Sequence, residues 1–290
     1  MRLHRKIDPF LFLILPLIAY LAVVLIPIFA SLYYSFMDWN GISEIRFSGL
    51  TNFSKLFSDR NLRIVFGNTL IYSGIGTFVQ VGLGLFLAIL VRQVKKSNLI
   101  RVLLFTPTVI SSVAMSQTFK NILGISPDGP INSLLGAIGL EHLRTAFLSS
   151  HTVTLPVIAL VDSFRYCGLY MVVFYTAFAS IDSSVVESAL IDGANNLQKL
   201  LYVQIPMMRV VIFNCIVLAL MGTLKGFEGS FIMTNGGPGF ASELLATYMY
   251  KTTFTNMDYG YGSVLGLVIA FSCVIVFSLL NNFLGRKIEE

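Results

Sequence analysis

The stretch ESALIDGANNLQKLLYVQIPMM, residues 187–208, is the most polar long segment in the second half of a strongly apolar chain. Its acids, its glycine and its proline are regularly placed. Just upstream, Ser184-Val185-Val186-Glu187 fits a capping box, with Ser184 as N-cap and Glu187 reaching back, so a helix is expected to start there. Gly193 interrupts that helix. Leu197, Leu200, Leu201 and Val203 then resume an apolar face at helical spacing. Pro206 is expected to close the segment before the next apolar run. The reading is helix, bend, helix, held outside the bilayer over residues 179–208.

What surrounds this segment is membrane protein. The 290 residues are 55% hydrophobic and only 12% charged, with a mean hydropathy of +0.77. Soluble domains carry about 25% charged residues. Six apolar runs are each long enough to cross a bilayer, which takes about 20 residues. They cover roughly 10–36, 65–91, 99–121, 153–178, 209–233 and 262–285. The fold class expected is therefore an all-α membrane protein, a single domain over 1–290, with six transmembrane helices and the 179–208 loop between the fourth and fifth. The basic start MRLHRK leads into an apolar run too long for a cleaved leader, so a retained first span is expected. In the second run, GIGTFVQVGLGL has small residues suited to close helix packing. It lies mid-span with no strand before it, which argues against a nucleotide loop.

Lysine and arginine set the orientation. With both termini cytoplasmic, eleven cations fall on the cytoplasmic side and eight in the longer outer loops, Arg165 being the twentieth and within a span. The turn RQVKKSNLIR, residues 92–101, is the clearest signal. This topology places 179–208 in the cytosol of a cell whose plasma membrane holds the chain. The pI of about 9.1 does not indicate nucleic acid, because the cations are scattered over short loops without interleaved aromatics. Cys167, Cys215 and Cys273 all lie in apolar runs and read as small buried residues rather than as metal ligands or a disulfide framework.

Glu187-Ser188-Ala189, Asp192-Gly193-Ala194 and Val203-Gln204-Ile205-Pro206 together resemble the EAA loop of binding-protein-dependent ABC transporter permeases. The family pattern is E-A-A-x-x-D-G-A, a spacer, then I-x-L-P; Ser188 stands for Ala and Ile205 for Leu. The likeness covers nearly the whole chain and narrows to the sugar-transport branch of maltose, glycerol-phosphate and lactose type. FSGLTNFSKLF, LLFTPTVISSVAMSQTFKNIL, GPINSLL, FEGSFIMTNGGPGFASELLATYMYKTTF and YGYGSVLGLVI each resemble a segment of that branch. Glu228 replaces its usual Asp and Ser242 its usual Thr. The resemblance implies that Glu187, Ser188, Ala189, Asp192, Gly193, Ala194 and Pro206 belong to a coupling helix region that docks on a separate cytoplasmic ATPase. It also implies that the loop with Gly236, Gly237 and Pro238 faces an extracellular solute-binding protein. The implied partners are a second homologous permease in a heterodimer, two ATPase subunits, the binding protein and membrane lipid. ATP and magnesium would be bound by the ATPase and no cofactor by this chain.

The residues agree with that role. Glu187 and Asp192 can accept charge-assisted hydrogen bonds from a basic partner, and Ala189, Gly193 and Ala194 let a surface approach closely. Within the spans, Asp162 and Arg165 share one helix face; a charge in hydrocarbon is costly, so they are expected to face the interior and to pair. They serve either as a polar wall of the substrate path or as a structural ion pair. Lys225 and Glu228 are expected to pair at the outer mouth, with Phe227 beside them on the path. Asn68, Gln80, Gln117 and Asn214 either bond substrate hydroxyls or tie helices together. Gly236-Gly237-Pro238-Gly239 reads as a turn.

The function expected is the translocation subunit of an ABC importer for a sugar or oligosaccharide. An importer for a polyol or glycerol phosphate is the nearest alternative. An ion-coupled transporter needs more intramembrane acids than Asp162 alone. A membrane enzyme lacks support, because His4, His142 and His151 lie at membrane edges or in loops. No Walker A motif occurs, so the chain would borrow its ATP hydrolysis.

Overall fold

A computed structural model describes residues 8–94, 97–124 and 129–282. Among the described residues, four helices are long and apolar enough to cross a membrane: α1 (Phe12–Tyr34), α3 (Arg60–Val91), α7 (Thr154–Ala179) and α13 (Tyr259–Leu280). Two bent pairs pass the same test when each is taken as one span. Between these lie the short strands β1 (Met37–Asp38) and β2 (Arg46–Phe47) and the helix α2 (Thr51–Ser58). The chain continues through α4 (Ser97–Val109), α5 (Ser112–Leu123) and α6 (Pro130–Ala137). After α7 come α8 (Ser183–Ile191), α9 (Asn196–Met207), α10 (Arg209–Leu224), α11 (Glu228–Thr234) and α12 (Leu245–Tyr250). The cationic ends that carried the orientation reading, Arg2, Arg5, Lys6, Lys95, Lys96, Arg286 and Lys287, lie outside the described residues, as do His4 and the last three residues of the 262–285 run.

The chain divides into two compact units. One comprises Met1–Arg60 with Met249–Ala270. In it, none of the apolar window of α1 is buried by the rest of the chain, as suits a helix whose surroundings are lipid. The run FSGLTNFSKLF becomes the end of β2 and then α2. Asn52, buried on α2, donates from Nδ2 to the carbonyls of Ser35 (3.1 Å) and Met37 (2.8 Å). These bonds satisfy backbone acceptors where the chain leaves α1. Gly260 meets the Met37 carbonyl so closely that a Cβ has no room, and Lys55 pairs with Asp258 at 2.8 Å.

The other unit, Asn61–Tyr248 with Phe271–Glu290, holds most of the core. Helix–helix contact here relies on small residues, as expected where lipid tails give no hydrophobic drive to associate. A Cβ on Gly84 of α3 would lie 2.6 Å from the Tyr170 Cβ on α7. Gly168 of α7 leaves no space for one against the Leu104 carbonyl of α4. Val81, Ala88, Tyr170, Met171, Phe174, Phe178, Met208, Cys215 and Ala219 form one buried cluster joining α3, α7 and α10. The cysteines are free, Cys167 and Cys215 buried and Cys273 half-buried.

Three boundaries differ from the sequence reading. The 99–121 run is two helices: Pro107 sits inside α4, Ser111 takes φ −53°, ψ 135° as the N-cap of α5, and the axes turn by 92°. Hydropathy is blind to such a break because both arms are apolar. The 209–233 run ends as a helix at Leu224; Phe227 (φ −137°, ψ −59°) then starts α11. Pro206 does not close the polar segment. It lies inside α9, and the chain turns by 68° after it, at Met208 (φ −93°, ψ 7°).

Candidate functional site

Two places in the second unit carry unusual chemistry for an apolar bundle. The first is a cavity of about 550 Å³ walled by α3, α7, α10 and the break between α10 and α11. Asp162, Arg165, Phe227 and Glu228, which the sequence singled out, all line it, as do Gln80 and Asn214. Lys225, Tyr72, Tyr166, Tyr170 and Thr223 complete its polar surface. The break explains how Lys225, Phe227 and Glu228 reach the wall. Gly226 lets the chain turn there, since a Cβ would sit 2.6 Å from the Tyr72 ring.

The charged residues are not disposed as the sequence suggested. No ion pair joins Asp162 to Arg165 or Lys225 to Glu228 among the described residues. The Tyr72 hydroxyl donates to Asp162 Oδ2 at 2.5 Å, so the carboxylate is held by a neutral donor from another helix. Arg165 instead places its guanidinium over the Tyr166 ring, 4.8 Å from the centroid, and its buried Nε has no hydrogen-bond partner. The i,i+3 spacing puts two side chains on one face but does not oblige them to meet; Tyr72, 90 residues away in sequence, competes successfully. Phe227 stacks on Phe231 at 4.9 Å. Carboxylates that accept, amides and guanidinium that donate, hydroxyls that do both, and several rings together suit a polyhydroxylated solute. No group of His, Cys, Asp or Glu among the described residues could hold a metal ion.

The intramembrane amides divide. Asn68 ties α3 to a loop: its Nδ2 donates to the carbonyls of Phe240 (2.7 Å) and Glu243 (3.1 Å). Gln117 bonds Asn121 on its own helix at 3.3 Å. Gln80 and Asn214 face the cavity.

The second place is residues 179–208. Helix α8 starts at Asp182, not Ser184: Asp182 Oδ1 accepts the Ser184 N–H at 2.9 Å, and this bond holds the Asp182 carboxyl below its usual value. An acid two residues earlier took the cap that serine was expected to fill, which leaves Glu187 exposed within the helix. The bend is where the glycine stands. Gly193 has φ +84° and open space around it. The capping box exists, but one helix later, where Asn195 and Gln198 each accept the other's backbone N–H at 2.9 Å. Glu187, Ser188, Asp192, Gly193 and Pro206 are exposed, while Ala189 and Ala194 are half-buried. Beside them Leu190 and Ile191 are exposed too, Ile191 to 85%. This is an apolar and acidic surface that no described residue covers. The end of the segment is the reverse: Gln204 and Met208 are buried, at 4% and 2%.

The loop with Gly236, Gly237 and Pro238 is a turn, with Gly236 at φ +77° and Gly239 at φ +59°. It is fastened from below. Gly236 lies so close to the buried Glu243 carboxylate that no Cβ fits, and Ser242 Oγ donates to the Gly237 carbonyl at 2.6 Å. Tyr72 escaped the sequence reading, and Arg92 and Gln204 were read only as a topology cation and as part of the motif, because their partners lie about 90 and 112 residues away in sequence.

With this geometry in view, the comparisons decide the family. Residues 80–290 match the binding-protein-dependent transport system inner membrane component. The chain belongs to this family. It is thus a membrane transport component and not an enzyme. The permease is 34% identical to the probable ABC transporter permease protein YurN of Bacillus subtilis, over 99% of both chains. It is 29% identical to the multiple sugar-binding transport system permease protein MsmF of Streptococcus mutans, covering 96% of this chain and 95% of that one. With the lactose transport system permease protein LacF of Rhizobium radiobacter it shares 30%, covering 94% and 92%. Its fold matches a chain of a bacterial ABC transporter involved in the import of alginate, with a TM-score of 0.83, 23% identity and coverage of 97% and 96%. A second structure of a bacterial alginate ABC transporter, in complex with alginate pentasaccharide-bound periplasmic protein, matches with a TM-score of 0.83, 22% identity and 99% of both chains.

Proposed function

We propose that this permease forms half of the translocation path of an ABC importer for a sugar or oligosaccharide, with the 550 Å³ cavity as its share of that path. The observation that carries this reading is the cavity wall. Asp162, Arg165, Lys225 and Glu228 face it unpaired with one another, among amides, hydroxyls and rings, in a chain whose relatives include permeases named for sugars. In the path, the carboxylates accept from sugar hydroxyls, Arg165 and the amides donate, and Tyr166 and Phe227 cover ring faces. The two bent pairs each count as one span, which gives six, with both termini in the cytosol. A second, homologous permease completes the path, an external binding protein delivers the solute, and two cytoplasmic ATPases bind ATP and magnesium. Residues 179–208 meet the ATPase. Glu187, Ser188, Asp192 and Gly193 offer the contact, and Ala189, Ala194 and Pro206 shape it.

Uptake of radiolabelled oligosaccharides by cells making the whole transporter tests the path. Asp162→Asn and Tyr166→Ala are expected to lower uptake by about ten-fold, the effect of one lost hydrogen bond to a charged group or one lost ring contact, at unchanged protein level. Unlabelled polyol or glycerol phosphate is expected not to compete. Wild-type uptake in both variants, or full competition by glycerol phosphate, contradicts the reading.

A further inference from the structure

Arg92 follows the last residue of α3, and three observations converge on it. Its Nη1 donates to Gln204 Oε1 at 3.2 Å. Its guanidinium lies over the Phe178 ring of α7, 4.1 Å from the centroid. Around this contact Val91, Phe178 and Met208 are buried in one cluster, with Leu200 and Ile181 packed against it. Gln204 is only 4% exposed and stands in the π-helical turn Lys199–Gln204 of α9. A buried amide with its carbonyl unsatisfied is costly, and the exposed Arg92 supplies the donor that Gln204 needs. One side chain thereby touches three elements: the end of α3, the end of α7 and the polar segment.

We propose that Arg92 is the positioning residue that fastens the polar segment to α3 and α7, so that displacement of α8 and α9 is passed to the cavity instead of being absorbed at the segment's inner end. This rests on the reading of residues 179–208 as the ATPase contact. The two helices it grips are those that line the cavity through Tyr72, Gln80, Asp162, Arg165 and Tyr166. Gln80 is twelve residues from Arg92 along one helix, about 18 Å at 1.5 Å per residue. Gly84 packs α3 tightly on α7 between these points, and Gly76 packs it on α10 just beyond Gln80, so α3 has no slack in which to lose the movement. At its outer end the same helix grips the 240–245 loop through Asn68 and Thr69.

The test uses the whole transporter in proteoliposomes with its binding protein, reading three quantities: ATPase co-purified, ATP hydrolysed and solute moved. Arg92→Met keeps the apolar stem over Phe178 but removes the donor and the charge; Gln204→Leu removes the acceptor. Both are expected to retain the ATPase in normal amount yet to move about five-fold less solute per ATP, the size of a coupling contact. The double variant should be no worse than either single one. Gln204→Glu, which keeps an acceptor for Arg92, should restore wild-type coupling. Arg101→Met, which removes a cation held 4.2 Å over the Tyr175 ring, controls for the lost charge and should couple normally. Wild-type solute per ATP in Arg92→Met overturns the proposal. So does loss of the ATPase from that variant, which would make the contact a matter of assembly. Normal uptake in Glu187→Lys would instead overturn the ATPase-contact reading, and this inference with it; impaired Glu187→Lys beside normal Arg92→Met removes this inference alone.

Discussion

Gly236 is the residue where shape is least negotiable. Its φ of +77° is strained for any L side chain, and the Glu243 carboxylate occupies the space a Cβ would need. Gly239, three residues on, also has a positive φ, +59°, but its nearest neighbour is the His151 ring at 3.5 Å. Gly236→Ala should therefore cost backbone strain plus overpacking, about 2–4 kcal/mol, and Gly239→Ala only the strain, about 1 kcal/mol. Thermal unfolding of the detergent-solubilised protein checks this; equal shifts would mean that the seat of Glu243 does not matter. Residue-scale legibility was uneven for a physical reason. Gly193 and Gly236 announce themselves because glycine is the residue that takes a left-handed backbone without cost. Tyr72 could not be chosen, since a tyrosine in an apolar run looks like core until Asp162 is seen against its hydroxyl.

At the scale of elements, α8 with its following turn is the piece that the sequence described best. Its breakers are local: a glycine at the bend, polar caps on either side and no dependence on distant packing. Even so, the cap moved from Ser184 to Asp182, because two residues competed for one orphan N–H and the pattern ranks them alike. The breaks after Val109 and Leu224 were not legible, since each arm is apolar and the direction of a helix is set by packing. Gly193→Val forces a β-branched residue into φ +84°, which should tilt α8 against α9. Glu187→Lys reverses the charge of the exposed face. Both variants are expected to insert at normal levels, to lose most of the co-purified ATPase and to reduce uptake by at least about ten-fold. Solute binding to the external binding protein should be unchanged. Normal uptake with normal ATPase in both would remove the coupling role from this segment.

For the whole molecule, the central claims are orientation and the source of energy. A cysteine placed at Ser97 should be labelled only by reagents that enter the cytosol, and one at Ser133 by impermeant reagents from outside. The reverse pattern would overturn the side assigned to both loops. The family was legible because its motif joins a rare acid–glycine–proline pattern to a membrane composition. The partners are proposed only through that resemblance, because nothing in one chain's physics counts the copies of another. The most direct measurement is solute uptake into proteoliposomes holding the complex purified through a tag on this chain. Uptake should require ATP on the ATPase side and the loaded binding protein on the other, and should be indifferent to proton or sodium gradients. Uptake driven by an ion gradient without ATP would contradict the assignment.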